Sequence, residues 1–116
     1  MTVCPFCRPE EALIAQNQHA LAIADKHPIS IGHSLVIPRK HVSSIFTLPR
    51  QEYLGCFDLA RKVKKVLESR HSPAGFNLTV NSGQAAGQTV EHAHIHVVPR
   101  YPGETLKPNV LQLEEC

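Results

Sequence analysis

Histidine occupies every second position between residues 92 and 96, and each histidine is followed by an apolar residue. Side chains of a β-strand point alternately to its two faces, so this spacing predicts a strand over 90–98 with His92, His94 and His96 on one face. Burying several imidazoles is costly unless each one finds a polar partner. We therefore expect this strand to carry the chemistry of the chain, and we expect its small apolar face to pack beneath a helix.

Other apolar stretches, bounded by proline and glycine, predict further strands. These stretches cover residues 19–25, 33–37 and 76–81. A turn at Gly83–Gly87 joins the last of them to the histidine strand. So short a connection predicts an antiparallel hairpin.

Apolar residues recur at spacings of three and four from Tyr53 to Leu67, which predicts one long amphipathic helix over about 48–70. Its apolar surface is wider than one stripe, and this is compatible with contact both to the sheet and to a partner chain. Residues 10–16, after Pro9, predict a short N-terminal helix. We therefore expect one α+β domain over 1–116, with an antiparallel sheet of about five strands.

The composition argues against several classes of protein. The net charge is only +2 and the basic residues are dispersed, which is atypical of proteins that bind nucleic acid. No apolar run reaches the roughly 18 residues of a membrane span, and the first residues have no signal-peptide pattern. The four cysteines are therefore expected to stay reduced, and we expect a cytoplasmic protein.

The turn before the histidine strand has the composition of an anion site. Residues 81–89 include two glycines and end in Gln88 and Thr89. The amide, the hydroxyl and the backbone N–H groups of such a turn can donate to a phosphate. A neutral imidazole beside a phosphate predicts nucleophilic attack on phosphorus. A catalytic metal held by all three histidines remains the alternative, because neutral imidazole is the commonest metal ligand.

These residues resemble the histidine-triad (HIT) family of nucleotide hydrolases and transferases, whose signature is three histidines alternating with apolar residues. The similarity extends to residues 87–90, to 99–100 and to 32–41, which resembles the other characteristic strand of the family. The resemblance implies an enzyme that acts at the α-phosphate of a nucleotide conjugate, such as an adenosine phosphoramidate or a dinucleoside polyphosphate. It also implies an adenine nucleotide as substrate and a homodimer.

By this resemblance, His94 is the nucleophile and carries a covalent nucleotide until water displaces it. His96 is expected to donate a hydrogen bond to a phosphate or leaving-group oxygen. Gln88 and Thr89 are expected to hold the phosphate, with Thr89 standing where the family often has serine. The alternative is a nucleotide-binding regulatory protein with negligible turnover, which the intact triad disfavours.

Asp25 precedes His33 by eight residues, as the ribose-binding acid of the family does, and a carboxylate accepts hydrogen bonds from both ribose hydroxyls. Phe6 and Ile23 are candidates for the base pocket, and Asn81 is a candidate for polar contacts near the phosphate. His33 is expected to support the triad through a hydrogen bond. For each of these residues, an ordinary packing or turn role is the competing interpretation.

Cys4 and Cys7 have the CxxC spacing of half a zinc site. His41 and His92 would complete a Cys2His2 site if they meet in space, and family members with an N-terminal CxxC imply this arrangement. Such a site would be structural and would leave the other two triad histidines for chemistry. The alternative is a pair of buried thiols beside an exposed His41.

Overall fold

The computed structural model describes residues 4–104, which form a five-stranded sheet and one long helix. The strands are Leu13–Gln16 (β1), Ala20–Ala24 (β2), Ser34–Pro38 (β3), Gly75–Thr79 (β4) and Ile95–Arg100 (β5). The helix α1 spans Arg50–His71, and short 3₁₀ segments lie at Ile45–Thr47 and Gln84–Ala86. All strand pairs are antiparallel, in the order β1-β2-β3-β5-β4. The predicted α+β class is confirmed, and the predicted domain 1–116 extends beyond the described residues at both ends.

The predicted short helix over residues 10–16 is wrong, because Leu13–Gln16 forms the edge strand β1. Asn17 closes the turn into β2: its Oδ1 accepts hydrogen bonds from the backbone N–H groups of His19 and Ala20 at 2.9 and 2.8 Å. Such a turn favours a hairpin, so pairing with β2 outweighs the weak helical preference of so short a segment. Asn17 Nδ2 also donates to the Gly55 carbonyl of α1 at 2.8 Å, which fixes the hairpin to the helix.

One face of the sheet is covered by α1, whose bounds lie within two residues of the predicted 48–70. Buried side chains of the helix and of the sheet form the core between them: Cys56, Leu59, Val63, Leu67, Ala93, Ile95 and Val97. The predicted packing of the small apolar face beneath a helix is therefore confirmed. A Cβ at Gly55 would lie 2.7 Å from His19, so glycine permits the close approach of α1 to the β1–β2 turn. No helix in the described region has an apolar stretch sufficient to span a bilayer.

The opposite face of the sheet carries the histidines. Ile23, Leu35, His96 and Thr79 are successive cross-strand partners on β2, β3, β5 and β4. A second apolar cluster lies on this side and consists of Phe6, Ile23, Leu35, Ile37 and Val90. Four histidines are each no more than 1% exposed: His33, His92, His94 and His96. The imidazoles are therefore buried on this face, where their polar partners decide which ring nitrogen carries the hydrogen.

The histidine strand is shorter than the sequence pattern predicts. β5 pairs antiparallel with β4, as expected for the hairpin, but it begins only at Ile95, where its pairing with β3 also ends. Before Ile95 the chain instead contacts the segment that follows β3, where the Ala93 N–H donates to the Val42 carbonyl at 2.7 Å. The first two triad histidines thus lie on an irregular segment, whereas His96 lies in β5. This break gives the three rings different surroundings.

Candidate functional site

His92 is held through its Nε2 atom, which lies 2.8 Å from the carbonyl oxygen of Pro38. A carbonyl oxygen only accepts, so this contact assigns the ring hydrogen to Nε2 and a lone pair to Nδ1. Nδ1 lies 3.3 Å from Cys4 Sγ and 3.5 Å from Cys7 Sγ. Burial lowers the pKa of His92, which favours the neutral ring that a metal ion requires.

Four potential metal ligands meet at this end of the sheet, and their ligand atoms all lie within 4.8 Å of one another: Cys4, Cys7, His41 and His92. Cys7 Sγ is 3.1 Å from His41 Nδ1. Tetrahedral coordination by zinc separates a sulfur from a nitrogen by about 3.5 Å. The donor set and its distances therefore fit one structural zinc ion. Desolvation and a hydrogen bond with Cys4 raise the pKa of Cys7, so metal binding there must release a proton.

His94 has a ring nitrogen suited to nucleophilic attack. Its Nδ1 lies 2.8 Å from the carbonyl oxygen of His92, which assigns the ring hydrogen to Nδ1 and the lone pair to Nε2. The ring lies edge-on to Phe6, with centroids 4.9 Å apart, and edge-on to His96, with centroids 5.1 Å apart. These contacts fix the direction of Nε2, as a preorganised nucleophile requires.

The tautomer of His96 is set through His33. The backbone N–H of Ile29 donates to His33 Nδ1 at 3.2 Å, so the hydrogen of the neutral His33 ring lies on Nε2. His33 Nε2 is 2.9 Å from His96 Nδ1, so His96 accepts at Nδ1 and carries its own hydrogen on Nε2. The two histidines therefore differ: His94 has a lone pair on Nε2, and His96 has a donor there.

Asp25 lies against this histidine pair. Its Oδ2 is 3.2 Å from His33 Nε2 and 3.7 Å from His96 Nδ1, and all three side chains are fully buried. Its Oδ1 accepts a hydrogen bond from the backbone N–H of His27 at 2.9 Å. A buried carboxylate at this position stabilises positive charge that develops on either ring.

The interpretation that all three triad histidines bind one metal gains no support from the described residues. Only two groups of side chains between residues 4 and 104 could share an ion: the Cys2His2 group, and Asp25 with His33 and His96. In the second group, the hydrogen on His33 Nε2 makes the contact with His96 a hydrogen bond. This group is therefore a hydrogen-bonded network. It contains His96 but neither His92 nor His94.

The turn with the composition of an anion site forms a compact loop over residues 82–89. Gly83 and Gly87 adopt φ angles of +95° and +97°, a region of backbone conformation that favours glycine. Gln88 is 8% exposed and its side-chain amide is hydrogen-bonded within the protein. Thr89 is exposed, so its hydroxyl is accessible to a ligand. The loop thus has one buried and one accessible polar side chain next to each other.

The residues predicted to contact the base or the phosphate do not all lie together. Phe6 and Ile23 are 3% and 1% exposed and belong to the same apolar cluster. Asn81 is 8% exposed and precedes the loop, where its Nδ2 would lie 3.8 Å from a Cβ at Gly87. Phe6 is the one in ring contact with His94. Roles in base or phosphate binding stay predictions for these residues.

Sequence reasoning missed the backbone groups that organise the site. Residues 41–44, which follow β3, run beside the start of the triad, and Ser44 Oγ lies 2.9 Å from Ser82 Oγ in the loop. The Ile29 N–H that orients His33 is likewise a main-chain donor. Main-chain groups are present at nearly every residue, so no pattern of side chains identifies the ones that act here. Only the paired serines have a side-chain signal, and two serines alone are unspecific.

Comparison with known proteins decides the family. A sequence profile of the HIT domain matches residues 8–103. The chain belongs to the HIT family. An uncharacterized 16.1 kDa HIT-like protein of Mycoplasma pneumoniae is 39% identical to it over 103 residues, which cover 84% of this chain and 72% of that protein.

Solved structures of HIT proteins share the fold. A zinc-bound histidine triad family protein from Mycobacterium smegmatis aligns with a TM-score of 0.80 at 31% identity, covering 94% of this chain and 86% of that chain. A HIT family protein from Bacillus anthracis aligns with a TM-score of 0.78 at 33% identity, covering 91% of this chain and 80% of that chain. The Mycobacterium smegmatis protein holds zinc within this fold.

Two HIT relatives have names that state an activity. Adenylylsulfatase HINT3 of Arabidopsis thaliana is 31% identical over an alignment of 123 positions that covers 97% of this chain and 62% of HINT3. Bis(5'-adenosyl)-triphosphatase of Dictyostelium discoideum is 29% identical over 96 residues, which cover 83% of this chain and 64% of that enzyme. The chain spans less than two thirds of the length of both enzymes.

Proposed function

We propose that this HIT protein is a nucleotide hydrolase or nucleotidyltransferase that acts at the α-phosphate of a nucleotide conjugate through a covalent nucleotidyl-His94. The observation that carries the proposal is the hydrogen bond from His94 Nδ1 to the His92 carbonyl, because it assigns the lone pair to Nε2. The names of the two enzymes among the relatives support an adenine nucleotide as substrate. An adenosine phosphoramidate and a dinucleoside polyphosphate are the substrates we propose to test.

In the first step, His94 Nε2 forms a bond to the α-phosphorus while the bond from phosphorus to the leaving nitrogen or oxygen breaks. His96 donates its Nε2–H to a phosphate or leaving-group oxygen as negative charge develops there. A leaving nitrogen takes up a proton as its bond to phosphorus breaks and departs as the amine. In the second step, water forms a bond to phosphorus and loses a proton, which balances the proton taken up by the leaving group, while the bond to Nε2 breaks and the nucleoside monophosphate leaves. Each step inverts phosphorus, so the overall reaction retains its configuration and follows ping-pong kinetics.

The 82–89 loop is proposed to hold the phosphate during both steps. The exposed Thr89 hydroxyl can donate directly to a phosphate oxygen. Asn81, at the start of the loop, can donate through its side-chain amide. Donors fixed around phosphorus before the reaction stabilise its developing charge without reorganisation, which is the main source of catalysis in phosphoryl transfer.

The nucleoside is proposed to lie between Asp25 and the apolar cluster of the histidine face. The aromatic ring of Phe6, in edge contact with His94, would form a wall for the adenine close to the nucleophile. Ile23 would extend this apolar wall beneath the base. The Asp25 carboxylate, anchored at Oδ1 by the His27 N–H, would accept hydrogen bonds from the ribose hydroxyls, and because its side chain is 0% exposed this requires the site to open around it.

A structural zinc ion is proposed at the four-ligand cluster of Cys4, Cys7, His41 and His92, on the support of its donor distances and of the zinc-bound HIT structure. The ion would tie the N-terminal segment to the start of the triad and add to stability. Ligand thiols must be reduced, which suits a cytoplasmic location. This assignment leaves His94 and the third triad histidine for chemistry.

A homodimer is proposed through the β4 edge of the sheet. β4 is the last strand in the sheet order, and its Leu78 side chain is 52% exposed. Next to it, Phe57 on α1 and Phe76 on β4 line an open apolar groove, with Phe57 36% exposed. A second copy that extended the sheet here would cover both the strand edge and this apolar surface. Sedimentation should then give about twice the chain mass of 12.8 kDa.

Replacing His94 by alanine tests the central step. The variant is expected to lose turnover by roughly 10³-fold or more, while it still binds AMP in calorimetry. Mass spectrometry of the wild-type protein after rapid quenching should find the nucleotidyl adduct on His94. Near-normal turnover of His94→Ala would overturn the proposal. Nucleotide binding by the wild-type chain without turnover would favour the regulatory alternative.

A further inference from the structure

Both hydrogens of the Gln88 side-chain amide are donated to carbonyl groups within the protein. Its Nε2 lies 2.7 Å from the Ser43 carbonyl and 2.9 Å from the Val90 carbonyl. Its Oε1 accepts the Gly83 N–H at 2.8 Å. A primary amide has two hydrogens, so no donor remains for a phosphate in this arrangement. The sequence suggested Gln88 as a phosphate ligand, whereas the geometry points to an indirect role.

These hydrogen bonds close the 82–89 loop on itself. Gly83 and Gln88 exchange two bonds, because the Gln88 N–H also donates to the Gly83 carbonyl at 3.2 Å. The loop contains Gly83 and Gly87 in left-handed backbone conformations. Glycine loses more conformational freedom on folding than other residues, so a loop built on it is ordered mainly by such contacts.

Gln88 also joins the loop to the segment that holds the triad. Gln88 donates to the carbonyl of Ser43, which belongs to the segment 41–44. In the same segment, the Val42 carbonyl accepts a hydrogen bond from the Ala93 N–H at 2.7 Å. Ala93 lies between the first two triad histidines. The same short segment therefore contacts both the anion loop and the backbone next to His94. A displacement of the loop against this segment would change the distance between a bound phosphate and the nucleophile.

We propose that Gln88 is a positioning residue, which fixes the 82–89 loop relative to His94 and does not itself contact the phosphate. The identity of the anion as an α-phosphate rests on the proposed function, but the loop contacts do not depend on it. A misplacement of reacting groups by a fraction of an ångström to 1 Å is sufficient to slow such a reaction strongly.

Gln88→Met removes all three bonds with little change in side-chain volume. Amide hydrogen exchange, followed by NMR without any ligand, is expected to be about tenfold to a hundredfold faster at Gly83 in this variant. Gln84→Met is the matched control, because Gln84 is an exposed glutamine of the same loop. Its Gly83 exchange should match that of the wild type. Unchanged exchange in Gln88→Met would overturn the proposal, because a phosphate ligand has no reason to order the unliganded loop.

Binding and kinetics provide the second readout. In Gln88→Met, AMP affinity is expected to fall about tenfold while adenosine affinity is unchanged, and kcat is expected to fall more than KM rises. Gln88→Glu keeps the acceptor for the Gly83 N–H but loses both donors, so Gly83 exchange should lie between those of the wild type and Gln88→Met. If Gln88→Met does not fold, Gln88→Glu decides: faster Gly83 exchange than in the wild type supports the proposal, and wild-type exchange overturns it. Retained turnover in His94→Ala would refute the proposed reaction, whereas the exchange results would still test Gln88.

Discussion

Replacing His33 by phenylalanine tests whether a hydrogen-bonded partner sets the tautomer of His96. Phenylalanine has a similar shape but no ring nitrogens, so the variant loses the contacts of His33 with the Ile29 N–H at 3.2 Å and with His96 Nδ1 at 2.9 Å. Asp25 Oδ2, 3.7 Å from His96 Nδ1, remains close and accepts only. His96 is therefore expected to move its hydrogen to Nδ1 and to lose the Nε2 donor.

The contacts of His33 determine how much activity and how much stability the variant is expected to lose. Removing one donor to a developing negative charge lowers kcat by about 10²–10³, and KM should change less because the donor acts mainly in the transition state. The side chains of His33 and Asp25 are both 0% exposed, so water does not replace the lost contacts. Their loss is expected to lower the free energy of unfolding by about 2–4 kcal/mol. In a domain of this size, this corresponds to a Tm lower by roughly 10–30 °C.

NMR of protein with ¹⁵N-labelled histidine distinguishes the two tautomers directly, and steady-state kinetics with an adenosine phosphoramidate measures kcat and KM. His27→Phe is the control, because His27 is exposed and contacts Asp25 through its backbone N–H only. It should keep the His96 tautomer and the activity. A wild-type His96 with its hydrogen on Nδ1, or a folded His33→Phe with the wild-type kcat, would refute the reasoning.

Two further predictions concern the metal cluster. His41→Ala is expected to lose bound zinc in metal analysis, because it removes one of four ligands, whereas His71→Ala should keep it; zinc retained without His41 would contradict the four-ligand site. After chelation, the free energy of unfolding should fall as the pH decreases below about 6.5, because burial lowers the pKa of His92 and the unfolded chain then binds more protons. Urea unfolding across this pH range measures the slope, and an equal slope in His92→Gln would argue against this source.

The long helix and the histidine hairpin were predictable because their signals are local. Apolar residues recur at helical spacing from Tyr53 to Leu67, and the alternation of histidine with apolar residues is a two-residue period. β1 was not predictable in the same way, because it exists through pairing with β2 and the turn at Asn17. The strand over 90–98 was predicted too long for a related reason. Its pairing with β3 stops at Ile95, although β3 itself continues to Pro38, and no local pattern reveals where pairing with a distant strand stops.

The candidate site shows the same division. The Cys4–Cys7 spacing predicts half of a candidate metal site, but the approach of His41 and His92 depends on the fold. Asp25 and His33 were singled out by the resemblance to the HIT family, and the structure places them in contact with each other. What the resemblance did not reveal is that the carboxylate faces both His33 and the third triad histidine, because this follows from the antiparallel register of β2, β3 and β5.

Three identical side chains have three different hydrogen-bonding states because main-chain groups assign their hydrogens. The Pro38 carbonyl leaves a lone pair on His92 Nδ1 toward the cysteines, and the His92 carbonyl leaves one on His94 Nε2. The Ile29 N–H, acting through His33, leaves His96 as a donor. Roles inferred from family resemblance and roles inferred from these hydrogen bonds are independent, since neither uses the other. They converge on the triad, whereas they diverge at Gln88, so hydrogen exchange at Gly83 is the measurement that separates them.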